Sequence, residues 1–333
     1  MPADRLNPAT PVETTLHAVL EVLAGTSVDT AAAHAGLEPT DLNAAVAVYQ
    51  QAGQDALIQQ AGLPVWRQLY VRFTDWDSAE QVAADHLAPV LDLAVEDKVI
   101  TGWWFIRKHP CWRIRLLPSL GTQLPTALVD TLIELTTAGR IDGWWPGIYE
   151  PETAAFGGDT SMSIAHTLFH ADSHAVLTTP HGDLGRREVS VLLCATLMRA
   201  AGLEWYEQGD VWHRVARERP LPQDVPVEKV RAMGENLRHL LLADTSDNGL
   251  MLQSDRTLKH AADWVRAFRH AGEEIGDSAR HANLDRGLRE VLAYHVIFHW
   301  NRIGLHSGTQ SLLAHAARTT TLHGVDSTER PQP

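Results

Sequence analysis

ITGWWFIRKHPCWRIRLL, residues 100–117, decides the fold, because it reads as a β-hairpin. Ile100 to Lys108 and Cys111 to Leu117 are rich in aromatic and β-branched side chains, and His109-Pro110 between them turns the chain. In the second strand Arg113 and Arg115 are two residues apart, so both project from one sheet face. Two guanidiniums side by side repel unless an anion sits between them, and arginine suits a bidentate grip on a carboxylate. A solvated or salt-bridged sheet face is the other reading of the same spacing.

Outward from the hairpin the pattern repeats. Val65 to Phe73 alternates as a strand, and Asp77 to Val95 has helical spacing. Pro125 to Ala138 is a helix ended by Gly139, and Ile141 to Tyr149 is a fourth strand. The order β-α-β-β-α-β is the ferredoxin-like split unit, with an antiparallel sheet and its helices on one face. From Met162 to His315 the chain reads as mostly helical, with Val189–Tyr206 as one long helix and further helices near 226–242, 255–275 and 283–303. The expected class is therefore α+β, divided into residues 1–62, 65–318 and a disordered polar tail, 319–333.

Residues 1–62 read as a small helical bundle. Val12 to Leu23, Thr30 to Ala35 and Asp41 to Tyr49 carry helical spacing, split by Gly36-Leu37-Glu38-Pro39. The layout is like a helix-turn-helix, but no Lys or Arg lies between Arg5 and Arg67, while Glu13, Glu21, Asp29, Glu38, Asp41 and Asp55 are acidic. A DNA reader needs cations on its recognition helix, so DNA is excluded as a partner. The whole chain points the same way, with 28 Lys and Arg against 41 Asp and Glu. No apolar run suffices for a membrane span and the start lacks a signal-peptide layout, so a cytoplasmic protein is expected. Cys111 and Cys194 are too few for a disulfide framework or a structural zinc site.

Three further segments could carry chemistry. Tyr149 to Gly158 places Glu152 at a strand end before a Gly-Gly turn, a common site geometry and a common way to end a strand. His166, His170 and His174 recur every four residues on one helix face, but the pattern is not HExxH and no further acidic ligand is obvious, so no metal is expected. Leu288, Leu292, His295, His299 and Arg302 form one helical stripe. Polar groups in an apolar stripe must meet partners inside, and a histidine there serves either a structural network or proton transfer.

WWFIRKHPCWRIRLLP, YEPETAAFGG, IAHTLFHADS and FHWNRIGL together, in this order, resemble the motifs of the thiopeptide-type bacteriocin biosynthesis family. That family is homologous to the C-terminal glutamate-elimination domain of class I lantibiotic dehydratases and related to thiopeptide pyridine synthases. The resemblance runs from about Val65 to about Ala317. It implies elimination of glutamate from glutamylated Ser or Thr of a precursor peptide, leaving dehydroalanine or dehydrobutyrine, without a cofactor. The implied partners are that peptide, leader plus core, and a separate glutamylating subunit; a homodimer is compatible with this. By position in the motifs, Arg113 and Arg115 match arginines that bind the glutamyl group, His299 matches the acid/base, and Glu152 matches the glutamate before Gly-Gly. His295 and Asn301 are expected beside the substrate. Elimination domains usually carry Arg-Tyr before the Gly-Gly; here Ala155-Phe156 stand instead, which leaves Arg107 and Arg302 as replacement cations. The same departure keeps two alternatives open: a pyridine synthase joining two dehydroalanines with leader release, and a partner that binds precursor peptide without catalysis.

Overall fold

The computed structural model describes residues 12–60, 65–119, 124–180, 184–246, 249 and 258–322. The linker expected at 61–64 and the tail from 323 onward lie outside them. Helices α1 (Val12–Leu23), α2 (Val28–Ala35) and α3 (Pro39–Gln60) form the amino-terminal bundle. They close over a core of aliphatic side chains, among them Ala18, Ala31, Ala32 and Leu42. Ser27 caps α2 by accepting from Thr30 N–H at 3.2 Å, which starts this helix two residues before the expected Thr30. The third helix runs well past Tyr49, because Gln50 to Gln60 contains helix formers and no proline.

The next unit is the expected β-α-β-β-α-β. Strands β1 (Arg67–Phe73), β2 (Ile100–Lys108), β3 (Cys111–Pro118) and β4 (Ile141–Gly147) form an antiparallel sheet in the order β2-β3-β1-β4. The first crossover is α4 (Ala79–Val82), a π-helical turn (Ala83–Leu87) and α5 (Ala88–Glu96). Pro89 explains the wide turn, since it has no N–H to bond the carbonyl four residues back. The second crossover is α6 (Thr126–Thr137).

Strand alternation then sorts the sheet into two faces. Leu69, Val71, Phe105, Trp112, Ile114 and Leu116 enter one core with Leu91, Leu128 and Leu132 of the crossover helices. Gln68, Tyr70, Trp104, Ile106, Arg113 and Arg115 face the other way. Register confirms the grouping, with Arg115 opposite Gln68 and Trp104, and Arg113 opposite Tyr70 and Ile106.

Among the described residues eight α-helices follow: α7 (Thr153–Phe156), α8 (Asp159–Thr178), α9 (Arg186–Ala200), α10 (Trp205–Glu218), α11 (Val227–Leu242), α12 (Ala262–Arg280), α13 (Leu288–Arg302) and α14 (Ser307–Leu322). Two expectations are corrected. Val189–Tyr206 is not one helix: Gly202 turns the chain at φ 87°, and Glu204 and Glu207 form a capping box that starts α10. The tail does not begin at Thr319, because α14 continues to Leu322 with Thr320 and Thr321 buried. That last turn packs on α11, where a Cβ on Gly234 would meet Thr320 Oγ1 at 2.5 Å, so only glycine permits the approach.

Helix α8 lies along β2, the sheet edge. Its side chains satisfy backbone groups that an edge strand leaves open. Ser173 Oγ accepts from Phe105 N–H at 3.1 Å, and His170 Nδ1 lies 2.8 Å from the Trp103 carbonyl. Arg302 of α13 donates through Nε to the Phe105 carbonyl at 3.1 Å. The sheet edge thus fixes α8 and α13, the two helices that carry the polar interior.

Candidate functional site

Asp172 on α8 is fully buried and is the centre of that interior. A carboxylate there survives only with partners. His299 Nδ1 lies 3.0 Å from both its oxygens, Trp264 Nε1 donates at 2.8 Å, and Arg302 Nη1 donates to Oδ2. Burial alone would push the Asp172 carboxyl up, but His299 and Arg302 together hold it below the usual carboxylate range. The pairing sets the histidine tautomer. In the neutral ring the proton sits on Nδ1 toward Asp172, and the lone pair sits on Nε2. Nε2 has no hydrogen-bond partner among the described residues, and the ring packs T-shaped against Phe268 with centroids 5.0 Å apart. The stripe read on α13 does face the interior, as its spacing requires, but it meets a closed ion network: His299 is only 1% exposed.

His295, one turn earlier, has no hydrogen-bond partner on either ring nitrogen among the described residues. Burial, then the nearby Arg302 charge, pushes it down to about 3, so the folded protein holds it neutral. Below pH ~6.5 the unfolded chain takes up a proton that the folded chain refuses, so stability falls as pH drops toward the folded value. We expect the His295→Leu variant to lose less stability than the parent on acidification, the difference reaching about 2 kcal/mol near pH 5. Urea unfolding at pH 7 and pH 5 measures it, and identical losses in parent and variant would show that His295 does not carry the acid sensitivity.

The second cluster lies on the other sheet face. Arg115 Nε donates to Gln68 Oε1 at 2.8 Å, and Gln68 Nε2 donates to the Ile148 carbonyl at 2.8 Å. The guanidinium is sandwiched, with its carbon 4.1 Å from the Trp104 ring centre and 4.3 Å from that of Tyr149. Burial brings Arg115 down to about 10, still charged at neutral pH. Its Nη1 is buried without a partner, and among the described residues no carboxylate forms an ion pair with it. Glu152, at the start of α7, also has a buried oxygen, Oε2, without a partner. Tyr149 Oη lies 2.7 Å from His166 Nε2. Burial pushes the tyrosine up, and burial with the Arg115 charge pushes His166 down to about 4, so both are neutral. Trp66 covers His166 at 4.6 Å. Arg113 continues the face outward, half-buried over the Tyr70 ring at 5.4 Å. Trp104 joins the two clusters, since the Arg302 guanidinium also lies 5.7 Å from its ring.

The structure brings Arg115, Arg113 and Glu152 onto one face, and His295, His299 and Arg302 into the interior behind it. It does not bring Arg107 or Asn301 to either. Arg107 pairs in register with Trp112, so its side chain takes the face opposite Arg113 and Arg115. There it binds Glu80, which also binds Arg186. Arg107 donates to the Arg302 carbonyl at 2.7 Å and Arg186 to the Ile303 carbonyl at 3.2 Å, so the pair caps the C-terminus of α13. Asn301 accepts from Gln310 at 3.1 Å, at the junction of α13 and α14. Arg302 is paired with Asp172 as Arg107 is with Glu80, although Arg302 Nη2 meets no hydrogen-bond partner among the described residues. Phe156, at the departure from the Arg-Tyr pattern, is fully buried against His295 at 4.9 Å and Phe298 at 5.0 Å. The following Gly157 and Gly158 have φ of 84° and 103°, and a Cβ on Gly158 would meet Asp285 at 2.6 Å.

Sequence reasoning missed Asp172, Gln68, Trp264 and the pairing of Tyr149 with His166. The available signal for Asp172 is an acid set between His170 and His174 on the histidine-rich helix. The three histidines of that helix have separate partners: Tyr149 for His166, the Trp103 backbone for His170 and Asp92 for His174. Among the described residues no group of three or more His, Cys, Asp or Glu is placed to hold a metal, and no helix is long and apolar enough to cross a membrane.

A family model described as lantibiotic biosynthesis dehydratase C-term matches residues 66–321. Among solved structures, the tRNA-dependent lantibiotic dehydratase MibB from Microbispora sp. 107891 is similar, at TM-score 0.59 and 21% identity over 80% of this chain. The chain spans 28% of the length of MibB. TsrL is similar at TM-score 0.55 and 15% identity, covering 79% of this chain and 96% of its own. TbtD, a pyridine synthase from thiomuracin biosynthesis, is similar at TM-score 0.51 and 15% identity, covering 78% of this chain and 99% of its own. No curated protein sequence matches the chain.

Proposed function

The chain belongs to the lantibiotic biosynthesis dehydratase C-terminal family, and from that premise we propose that it eliminates glutamate from glutamylated Ser or Thr of a precursor peptide. The substrate is an ester between the Ser or Thr side-chain oxygen and a glutamate carboxyl. A base takes the Cα proton, the electron pair passes through the peptide carbonyl, the Cβ–O bond breaks, and glutamate leaves as a carboxylate. The product is dehydroalanine or dehydrobutyrine. A separate subunit supplies the glutamylated peptide.

One observation carries this reading: Arg115 is a buried, charged guanidinium whose Nη1 meets no hydrogen-bond partner among the described residues, and only the more distant charge of Glu152 offsets it. A buried cation without a carboxylate in direct contact is costly, and a substrate carboxylate relieves the cost. Arg113 gives the same face a second, outer cation. His299, oriented by Asp172, presents the lone pair suited to the proton. Arg115→Lys keeps the charge but loses the fork held by Gln68 and the two rings. We expect it to lower kcat/KM by about tenfold or more. Mass spectrometry of glutamylated precursor, with and without the protein, tests the function. Glutamate should be released and a dehydrated residue formed, and glutamylated peptide that stays intact would end the proposal.

Phe156 favours a second reading. It fills with hydrocarbon a place where a pocket for a charged leaving group would put polar groups, which suits pyridine formation from two uncharged dehydroalanines. The same experiment separates the readings: a pyridine synthase leaves glutamylated peptide untouched and converts a dehydrated linear peptide with loss of its leader.

A further inference from the structure

We infer that Tyr149, oriented by His166, is a catalytic hydrogen-bond donor to the peptide carbonyl oxygen that gains charge during elimination. This rests on the proposed elimination and adds residues to it. During that step the electron pair from the broken Cα–H bond resides partly on the carbonyl oxygen before it expels glutamate from Cβ. A donor aimed at this oxygen stabilises the charge where it develops.

The geometry supplies one. Tyr149 Oη and His166 Nε2 are 2.7 Å apart and share a single hydrogen. Both groups are neutral at working pH, so together they own two protons, the hydroxyl's and the ring's. With the imidazole proton on Nε2, His166 donates to Oη, and the hydroxyl proton of Tyr149 is free to point at substrate. The tautomer of His166 thus decides whether Tyr149 is a donor outward. The position fits the task. The Tyr149 ring lies against the Arg115 guanidinium, whose charge favours electron density on a nearby oxygen. The loop before the tyrosine is tied to that same arginine through Gln68 and the Ile148 carbonyl. His166 and the Trp66 ring packed on it are both half-buried, whereas His299 is enclosed.

The test is elimination kinetics on glutamylated precursor peptide, with Tyr149→Phe, His166→Gln and His166→Leu variants of the full chain. Tyr149→Phe should lower kcat about 10- to 100-fold with KM within about twofold, because the lost bond forms only as charge develops. His166→Gln keeps an N–H donor near Oη and should retain most of kcat, whereas His166→Leu should match Tyr149→Phe. A merely structural pair predicts instead that Gln and Leu at 166 behave alike, or that losses appear in KM. Unchanged kcat in Tyr149→Phe would overturn the inference, and so would equal kcat in the two His166 variants, which decide the matter if Tyr149→Phe fails to fold. A parent chain that releases no glutamate would remove the elimination reading and this inference with it.

Discussion

Asp172→Ala should cost about 3–5 kcal/mol of folding stability, the range for removing one partner of a buried ion pair. The carboxylate is fully buried and answers three groups at once: the His299 ring, the Arg302 guanidinium and the Trp264 N–H. Its loss leaves Arg302, itself 1% exposed, as an uncompensated interior charge. Arg302 also ties α13 to the sheet edge through the Phe105 carbonyl, so the damage reaches the sheet as well as the helices. Denaturant unfolding measures the loss, followed by fluorescence of the buried tryptophans. A double variant gives the sharper result. Adding Arg302→Met removes the orphaned charge and keeps the side-chain length, so part of the stability should return, giving a coupling energy of about 1–3 kcal/mol. Additive losses in the double variant, or less than about 1 kcal/mol in Asp172→Ala, would show that the ion network is not what holds α8 to α13.

The parts of this protein that local pattern controls were legible in the sequence. The alternation in residues 100–117 gave both strands of the hairpin and put Arg113 and Arg115 on one face. The change of period on either side gave the order of the ferredoxin-like unit. Where local signals were misweighed, helix ends moved: Gly202-Leu203-Glu204 contains a helix stop and a cap, yet the apolar spacing across it suggested continuity. Arg107 could have been placed correctly. Its register partner in a two-residue hairpin turn is Trp112, and alternation sends it away from Arg115. Asp172 was beyond reach by such means. Its partners His299 and Arg302 lie 127 and 130 residues further along the chain, and a pairing of that range is set by how α8 and α13 cross the sheet edge. The Tyr149–His166 pair is closer in sequence, but it forms only because the chain reverses through Gly157 and Gly158 and lays α8 back across Trp104.

His299→Asn separates the two readings that the α13 stripe allowed. The asparagine amide N–H can replace Nδ1–H as donor to Asp172, so the ion network keeps its geometry, while nothing replaces the lone pair at Nε2. If His299 takes the Cα proton, the variant should fold with stability close to the parent and lose about 10²- to 10⁴-fold in kcat, the worth of a positioned general base. Glutamylated precursor should then accumulate with each glutamate still attached. His299→Ala is the weaker experiment, because it strips Asp172 of a partner and mixes lost stability with lost chemistry. The enclosure of the ring adds a requirement: His299 is 1% exposed and its ring packs against Phe268 of α12, so a substrate Cα reaches Nε2 only if the helices around it part locally. Hydrogen exchange should therefore show faster amide exchange along Phe268–Gly272 and His295–His299 on adding glutamylated peptide. A folded His299→Asn protein with parental kcat would leave His299 as a structural partner of Asp172 and place proton abstraction elsewhere.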